Sequence, residues 1–308
     1  LTLGQDAQGN TGRKLLTDYN YDGTKTVDNG QVTQNLNLSQ IQYTYTTDQK
    51  TKTDTKYAPA LMGLLGYVIS DGTNTNGLDL SAQTASLRQM GSIYHSKPLL
   101  ITQSGKAIAS KDATTGKVSI DTTNREDYVL FGTTQGILHV VKADDYTSAS
   151  GGGKEIFAFV PNEMVDRQSK AFLTPDQSTG GTANLYYGID APWVAHTEYV
   201  PKSDGTLTVG TGKVTTGTTT LKGKQIVYGG LRMGGRSYYS LDLTDISSPK
   251  VKFHIDPNNK QVHYLDGSTT ESKTIDELKY MGQSWSKPTL AYVNWFGKRK
   301  LVMIVGGG

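Results

Sequence analysis

The sequence predicts an all-β protein made of β-propeller blades, each an antiparallel sheet of four strands, with a small N-terminal α+β extension. Three observations predict it: a small-residue and proline start that recurs three times, an apolar strand running into glycine after each start, and glycine turns between the strands that follow. Recurrence of one supersecondary unit is typical of repeat folds, and four antiparallel strands per unit are typical of propeller blades.

The three repeat starts are spaced almost evenly. Pro98, Pro192 and Pro288 lie 94 and 96 residues apart, and each precedes an apolar run. Proline is tolerated at the first residue of a strand because its missing N–H costs no ladder hydrogen bond there. Each proline therefore marks the beginning of the first strand of a unit.

The strands after each start follow one order. The second strands, which end in glycine, are predicted at residues 128–132, 226–230 and 302–306. Third strands are predicted at residues 136–141 and 237–242, and fourth strands at 155–160 and 251–255. Glycine-rich hairpins between them suit backbone with positive φ. The sequence thus contains two complete units and half of a third.

A β-sandwich is the alternative fold, because its strands also alternate between glycine turns. A sandwich does not predict a threefold recurrence of the same strand order, so the propeller is favoured. A propeller closes with about 4 to 8 blades. The chain reaches its end directly after an apolar strand, on Gly306, Gly307 and Gly308, and we interpret it as a fragment whose remaining blades lie elsewhere.

The first 90 residues differ from the repeats. We therefore predict two domains, an N-terminal extension over residues 1–90 and the propeller blades over residues 91–308. Apolar residues recur at helical spacing over residues 56–70, which predicts one amphipathic helix. Residues 1–55 are rich in Thr, Asn and Gln with short alternating runs, which predict a peripheral hairpin or an extension leading into the propeller.

Composition and charge exclude several classes of function. The formal net charge is only +3 and is spread along the chain, whereas nucleic-acid binding requires clustered positive charge. The absence of cysteine excludes disulfides, Cys-ligated zinc and a thiol nucleophile. The longest apolar stretch, residues 60–69, is too short to cross a bilayer. We predict no nucleic-acid partner and no transmembrane segment.

Catalytic signatures are weak in this sequence. The five histidines show no H-x-x-x-H or HExxH spacing, and neither a G-x-S-x-G elbow nor a P-loop is present. His95, at the first repeat start, is interpreted as a turn or packing residue. We therefore predict that the protein is not an enzyme.

One segment matches the opening of a calcium-binding loop. Residues 18–28 contain the pattern D-x-[DN]-x-[DN]-G, with oxygen-bearing residues at alternate positions so that the loop wraps a hard cation. The candidate Ca²⁺ ligands are the side chains of Asp18, Asn20 and Asp22, the backbone carbonyl of Thr24, and Asp28. Residue 29 is asparagine where an EF-hand has its bidentate carboxylate, and a plain surface turn is the alternative. The cluster at residues 256–259 lacks the alternation and is predicted to be a turn.

Residues 88–98, which read Arg-Gln-Met-Gly-Ser-Ile-Tyr-His-Ser-Lys-Pro, resemble the start of the C-terminal domain of the PilC/PilY family of type IV pilus proteins. The resemblance covers about residues 55–308 in order, and it is also carried by residues 129–139, 155–161, 187–192 and 229–238. The departure is at residues 189–192, where the family more often has Asp-Gly-Ser/Thr-Pro. This difference does not change the predicted order of the strands.

The resemblance implies a secreted virulence factor at the outer membrane surface or pilus tip of a Gram-negative bacterium. It implies a fimbrial protein that promotes pilus extension against retraction and contributes to host-cell adhesion and twitching motility, with short Asp-rich calcium loops as regulators. The implied partners are pilus proteins, such as minor pilins at the tip, and a host-cell surface receptor. The resemblance also strengthens the interpretation of residues 18–28 as a Ca²⁺ loop.

Two other functions share this repeat pattern. A quinoprotein-type (PQQ) dehydrogenase has a similar glycine-strand pattern, but that class typically needs a vicinal Cys pair, and this chain has no cysteine. An outer-membrane assembly scaffold with propeller repeats shares the fold but not the His-Ser-x-Pro start. The pilus-associated function is therefore the leading hypothesis.

Overall fold

The structure, a computed structural model, describes residues 12–19, 34–41, 58–67, 69, 90–144, 151–172, 186–214 and 219–308. Strands dominate this part of the chain, and its two α-helices are short, α1 (Ala58–Leu64) and α2 (Asn162–Gln168). Within the described ranges, three 3₁₀ segments lie at Ser169–Phe172, Arg232–Gly234 and Asp276–Tyr280. The predicted all-β class is confirmed for the described residues.

The strands of the described ranges are β1 (Leu15–Tyr19), β2 (Gln34–Ile41), β3 (Leu99–Lys111), β4 (Val118–Gly132), β5 (Leu138–Ala143), β6 (Glu155–Phe159), β7 (Val194–Glu198), β8 (Val200–Pro201), β9 (Leu207–Thr208), β10 (Thr211–Val214), β11 (Thr220–Lys222), β12 (Lys224–Gly230), β13 (Tyr238–Asp242), β14 (Lys250–Asp256), β15 (Gln261–Asp266), β16 (Thr269–Thr274), β17 (Thr289–Trp295) and β18 (Lys298–Ile304). They form an eight-stranded sheet, a six-stranded sheet and two hairpins.

The first repeat forms a four-stranded antiparallel meander. β3, β4, β5 and β6 are neighbours in chain order, as predicted. Leu99, Leu130, Val140 and Phe157 lie opposite one another in successive strands, which places them in one row across the sheet. The last three are completely buried. Cross-strand apolar pairs of this kind are the stabilising unit of a sheet.

The second repeat has the same architecture. β7, β12, β13 and β14 are antiparallel neighbours in that order. The equivalent row consists of Ala195, Val227, Leu241 and Val251, and the last three of these side chains are also completely buried. β15 and β16 extend this sheet beyond the four predicted strands. The third repeat is represented by the hairpin of β17 and β18, as the sequence predicts.

β3 and β4 are longer than the sequence analysis indicated. Their outer parts, residues 106–111 and 118–123, pair only with each other among the described residues and form an exposed two-stranded ribbon. The Oδ1 atom of Asp112 accepts hydrogen bonds from the backbone N–H groups of Thr114 and Thr115 and thereby shapes the turn at its tip. Valine, isoleucine and threonine in residues 118–123 favour extended backbone.

The N-terminal segment joins the first sheet. β1 and β2 form an antiparallel hairpin, and β1 also pairs in parallel with β6, where Leu15 lies opposite Ala158. Leu15 and Leu61 of α1 are completely buried in the same apolar core as the first repeat. The predicted helix over residues 56–70 is present as the shorter α1.

The described residues contain no closed ring of sheets. The antiparallel four-stranded units are therefore confirmed, whereas their closure into a propeller stays a prediction. Among the same residues, no helix has the length and apolar character needed to cross a membrane.

Candidate functional site

Asp18, the first residue of the predicted calcium loop, lies in β1 with its side chain completely buried. Its Oδ1 accepts a 2.7 Å hydrogen bond from the backbone N–H of Asn162. Its Oδ2 lies 3.5 Å from Nδ1 of His254 and accepts no hydrogen bond among the described residues. Burial raises the pKa of Asp18 to about 7, because one carboxylate oxygen is left without compensation.

The other four predicted calcium ligands are Asn20, Asp22, Thr24 and Asp28, and they lie outside the described residues. The calcium loop therefore stays a prediction, of which the structure shows the position and surroundings of Asp18.

A polar cavity of about 570 Å³ lies next to Asp18, between α2 and the strands β14, β15 and β16. Carboxylates, amides, hydroxyls, two imidazoles and one guanidinium line it. These groups belong to Gln34, Asn162, Glu163, Asp166, Arg167, His254, Asp256, Asn258, Asn259, Gln261, His263, Thr270 and Ser272. We call this space the α2 cavity.

The first turn of α2 supplies one wall of the α2 cavity. Pro161 precedes the helix, and its fixed φ suits a helix start. Glu163 in that turn is buried, and its two carboxylate oxygens accept hydrogen bonds from the backbone N–H groups of Arg236 and Ser237, each at 3.1 Å. These bonds hold α2 against the beginning of β13.

The turn between β14 and β15 supplies the opposite wall. Asp256 accepts hydrogen bonds from the backbone N–H groups of Asn258 and Asn259 and from the side-chain amide of Asn259 at 2.7 Å. The turn predicted at residues 256–259 is confirmed. Burial alone would raise the pKa of Asp256, but its contact with His263 and its other hydrogen bonds lower the pKa to about 2. Asp256 is therefore ionised at neutral pH.

Two histidines form the inner wall. His254 and His263 lie opposite each other in β14 and β15, with ring centroids 5.4 Å apart. The hydroxyl of Ser237 lies 3.0 Å from Nε2 of His254, and that of Ser272 lies 2.7 Å from Nδ1 of His263. Burial lowers the pKa of His254 to about 3, so this imidazole is neutral at physiological pH. Within the described ranges no group of three or more His, Asp or Glu side chains could hold a metal ion.

A second arrangement links the repeats. Ser96, in the first repeat start, accepts a 2.9 Å hydrogen bond from the N–H of Gly132, and Ser286 accepts an equivalent 2.9 Å bond from Gly306. In both units the serine two residues before the proline thus holds the glycine at the end of the second strand. The first and third repeats therefore share this hydrogen bond as well as the sequence motif.

Asp190 occupies the serine position in the second repeat start. It accepts hydrogen bonds from the backbone N–H of His95 and from Nη1 of Arg232, each at 3.1 Å. The ring Nδ1 of His95 also lies 2.9 Å from its Oδ2. The interpretation of His95 as a hydrogen-bonding turn residue is confirmed. Arg232 in turn lies 5.1 Å from the ring centroid of Trp285, in the third repeat start.

Most residues of the α2 cavity could not be identified from the sequence. Asp18 and the turn at Asp256 stood out as Asp/Asn clusters, but Gln34, Asn162 and His263 belong to distant segments. A single sequence contains no signal that these residues lie together.

Comparisons with known proteins are sparse. No protein-family model matches the chain, and no curated protein matches it. Among solved structures, the chain is weakly similar to the "Crystal structure of Pseudomonas aeruginosa PilY1 C-terminal domain", with 21% sequence identity and a TM-score of 0.32. The match covers 59% of this chain and 25% of that one, so the chain spans about a quarter of the length of the solved domain.

Proposed function

We propose that this chain is part of a type IV pilus-associated adhesion and assembly protein, in which β-propeller blades form a rigid platform. The observation that carries the proposal is the ordered motif set that resembles the PilC/PilY family, together with the repeated unit that these motifs build. Each of the first two motif copies begins a four-stranded antiparallel unit, and the third begins a hairpin in the equivalent position.

The hydrogen bonds at the repeat starts support a common architecture for the units. Ser96 and Ser286 each hold the glycine of their own second strand. Asp190, in the intervening unit, binds residues of the preceding start and of the following turn. Such connections make neighbouring units one rigid body, which is what a platform for partner binding requires, since ordered loops on a rigid scaffold bind at a lower entropic cost.

The proposed role is non-enzymatic. The protein is secreted to the outer surface or the pilus tip, binds minor pilins there, and promotes pilus extension against retraction. A host-cell surface receptor is the second proposed partner, and twitching motility and adhesion depend on these contacts.

A bound Ca²⁺ is the proposed regulator. Asp18 fits this role, because its buried Oδ2 lacks a hydrogen bond among the described residues, and a bound cation would compensate such a carboxylate. Ca²⁺ takes oxygen ligands from carboxylates, amides and backbone carbonyls. The proposed ligands are Asp18, Asn20, Asp22, the carbonyl of Thr24, and Asp28. The ion would order the loop that contains them.

The pilus role is tested by deleting the gene in the source bacterium. We expect the deletion strain to lose surface pili, twitching motility and adhesion to host cells. Surface pili should return when the retraction motor is deleted as well, because the proposed role opposes retraction. A deletion strain with normal pili, motility and adhesion would refute the proposal.

The calcium site is tested by isothermal titration calorimetry of the whole chain. We expect wild type to bind Ca²⁺ and Asp22→Ala to lose measurable binding. Asp204→Ala is the matched control, because Asp204 caps an exposed turn by accepting hydrogen bonds from Thr206. Identical titrations of wild type and Asp22→Ala would eliminate the calcium loop while leaving the pilus role standing.

A further inference from the structure

We infer that the α2 cavity binds an uncharged sugar residue of a glycan. The inference is independent of the calcium loop and goes beyond the proposed pilus role, because it concerns a site formed by α2 and the strands β14, β15 and β16. Its volume of about 570 Å³ lies within the range of small-molecule sites, roughly 300–1,000 Å³.

The lining of the α2 cavity matches the chemistry of a sugar. Adjacent sugar hydroxyls each donate and accept hydrogen bonds, and side-chain amides supply both functions in one planar group. Five amide side chains line the cavity, those of Gln34, Asn162, Asn258, Asn259 and Gln261. The described residues of the lining include no aliphatic or aromatic hydrocarbon side chain, so an apolar ligand would leave these polar groups without partners.

One buried oxygen atom at this site lacks a partner. The Oδ1 atom of Asn162 accepts no hydrogen bond among the described residues, and Asn162 lines the cavity. Buried polar atoms are normally hydrogen-bonded, and exceptions mark strain or an absent partner. This oxygen is inaccessible in the structure, so the side-chain amide of Asn162 must reorient for Oδ1 to accept a hydrogen bond from a ligand hydroxyl in the α2 cavity.

The charge of the cavity selects against anions. Three carboxylates, those of Glu163, Asp166 and Asp256, face one guanidinium, that of Arg167. The contacts that lower the pKa of Asp256 keep it ionised at neutral pH. An acidic sugar or a phosphate would be repelled, whereas the hydroxyls of an uncharged sugar can donate charge-assisted hydrogen bonds to these carboxylates. A metal ion alone is also disfavoured, because no metal-binding group of three occurs within the described ranges.

Ligand-observed NMR by saturation transfer tests the inference on the whole chain. The probes are galactose, glucose, mannose, fucose, N-acetylglucosamine and N-acetylgalactosamine at millimolar concentrations, with N-acetylneuraminic acid as the anionic probe and spermidine as the cationic one. We expect at least one uncharged sugar to bind. We also expect N-acetylneuraminic acid to bind about tenfold more weakly or not at all. Binding should persist in EDTA, which separates this site from the calcium loop.

Two variants locate the binding site. Asn162→Ala and Gln261→Ala should each weaken sugar binding about tenfold, the effect of one lost hydrogen bond to the ligand. Asn294→Ala is the matched control, since Asn294 is exposed in β17 outside the cavity. Near-UV circular dichroism confirms that each variant is folded.

Three results would overturn the inference. The first is the absence of binding by every uncharged sugar. The second is binding that both cavity variants leave unchanged while remaining folded. The third is preferential binding of spermidine or of N-acetylneuraminic acid, which would assign the α2 cavity to an amine or to an anion instead. None of these results bears on the pilus role.

Discussion

Arg232 donates a 3.1 Å hydrogen bond from Nη1 to Oδ2 of Asp190, and this ion pair connects the start of the second repeat to the turn after β12. The Asp190 side chain is 1% exposed and that of Arg232 is 24% exposed. Because Asp190 also accepts a hydrogen bond from His95, and Arg232 lies over Trp285, the three repeat starts are connected through this pair.

Asp190→Ala should therefore destabilise the protein. Removing one partner of a buried ion pair costs roughly 3–5 kcal/mol, and the partial exposure of Arg232 lowers the expected loss to about 2–3 kcal/mol. Urea unfolding followed by fluorescence measures it. The control is Lys224→Ala, which removes an exposed ion pair with Glu198 and should cost less than about 1 kcal/mol. Equal losses in the two variants would contradict the role of Asp190 as a connector.

The two repeat serines should differ in importance. Ser96→Ala leaves the buried N–H of Gly132 without its hydrogen bond and should cost about 1–3 kcal/mol. Ser286→Ala should cost less, because the bond from Gly306 is solvent-exposed and water can replace the hydroxyl. Thermal unfolding of both variants shows which substitution destabilises the protein more. Ser110→Ala, on the exposed ribbon, is the control. A larger loss of stability for Ser286→Ala than for Ser96→Ala would show that the hydrogen bond from Gly132 to Ser96 is not the stronger contribution to the fold.

Gly229 is a position in β12 where a side chain cannot fit. A Cβ there would overlap the ring of Trp193, which packs directly on the glycine backbone. Gly229→Ala should cost on the order of 3 kcal/mol, because overpacking a filled core forces side chains and backbone to shift. Gly307→Ala is the control, since its Cβ would have no atom within 4 Å. Thermal melting that shows no difference between the two would refute close packing at Gly229.

Stability should fall in acid because of Glu155. Burial alone would raise the pKa of Glu155, but its hydrogen bond with the His139 imidazole and its ion pair with Arg13 lower the pKa from 4.5 to about 2. A carboxylate with a lowered folded-state pKa contributes stability above its unfolded pKa of 4.5, and this contribution is lost as the pH falls towards about 2. The contribution is on the order of 3 kcal/mol.

Urea unfolding midpoints measured between pH 2 and pH 7 test this prediction. Glu155→Gln should be less stable than wild type at pH 7 and should show a weaker pH dependence below pH 5. The difference between the two proteins should shrink as the pH falls towards 2. A constant difference across the whole range would show that the ionisation of Glu155 does not contribute.

The candidate site was only partly predictable. The pattern beginning at Asp18 and the turn beginning at Asp256 are local, so their Asp, Asn and Gly residues are visible in any single sequence. The contact between Asp18 and His254 is not visible, because it depends on β1 joining the sheet of the first repeat while α2 packs against β13. The same holds for Asp190, whose departure from serine in the repeat gave no indication that it would pair with Arg232.

The strand order of the two complete units, their proline starts and their glycine-ended second strands were determined by the sequence alone. These features depend on backbone preferences and on apolar patterns within about ten residues, which act locally. Only the tertiary structure decided the parallel pairing of β1 with β6, the two-stranded ribbon of residues 106–111 and 118–123, and the formation of the α2 cavity. These features arise when segments that are distant in sequence pack against each other. The sequence around each of these residues does not identify which residue it will contact.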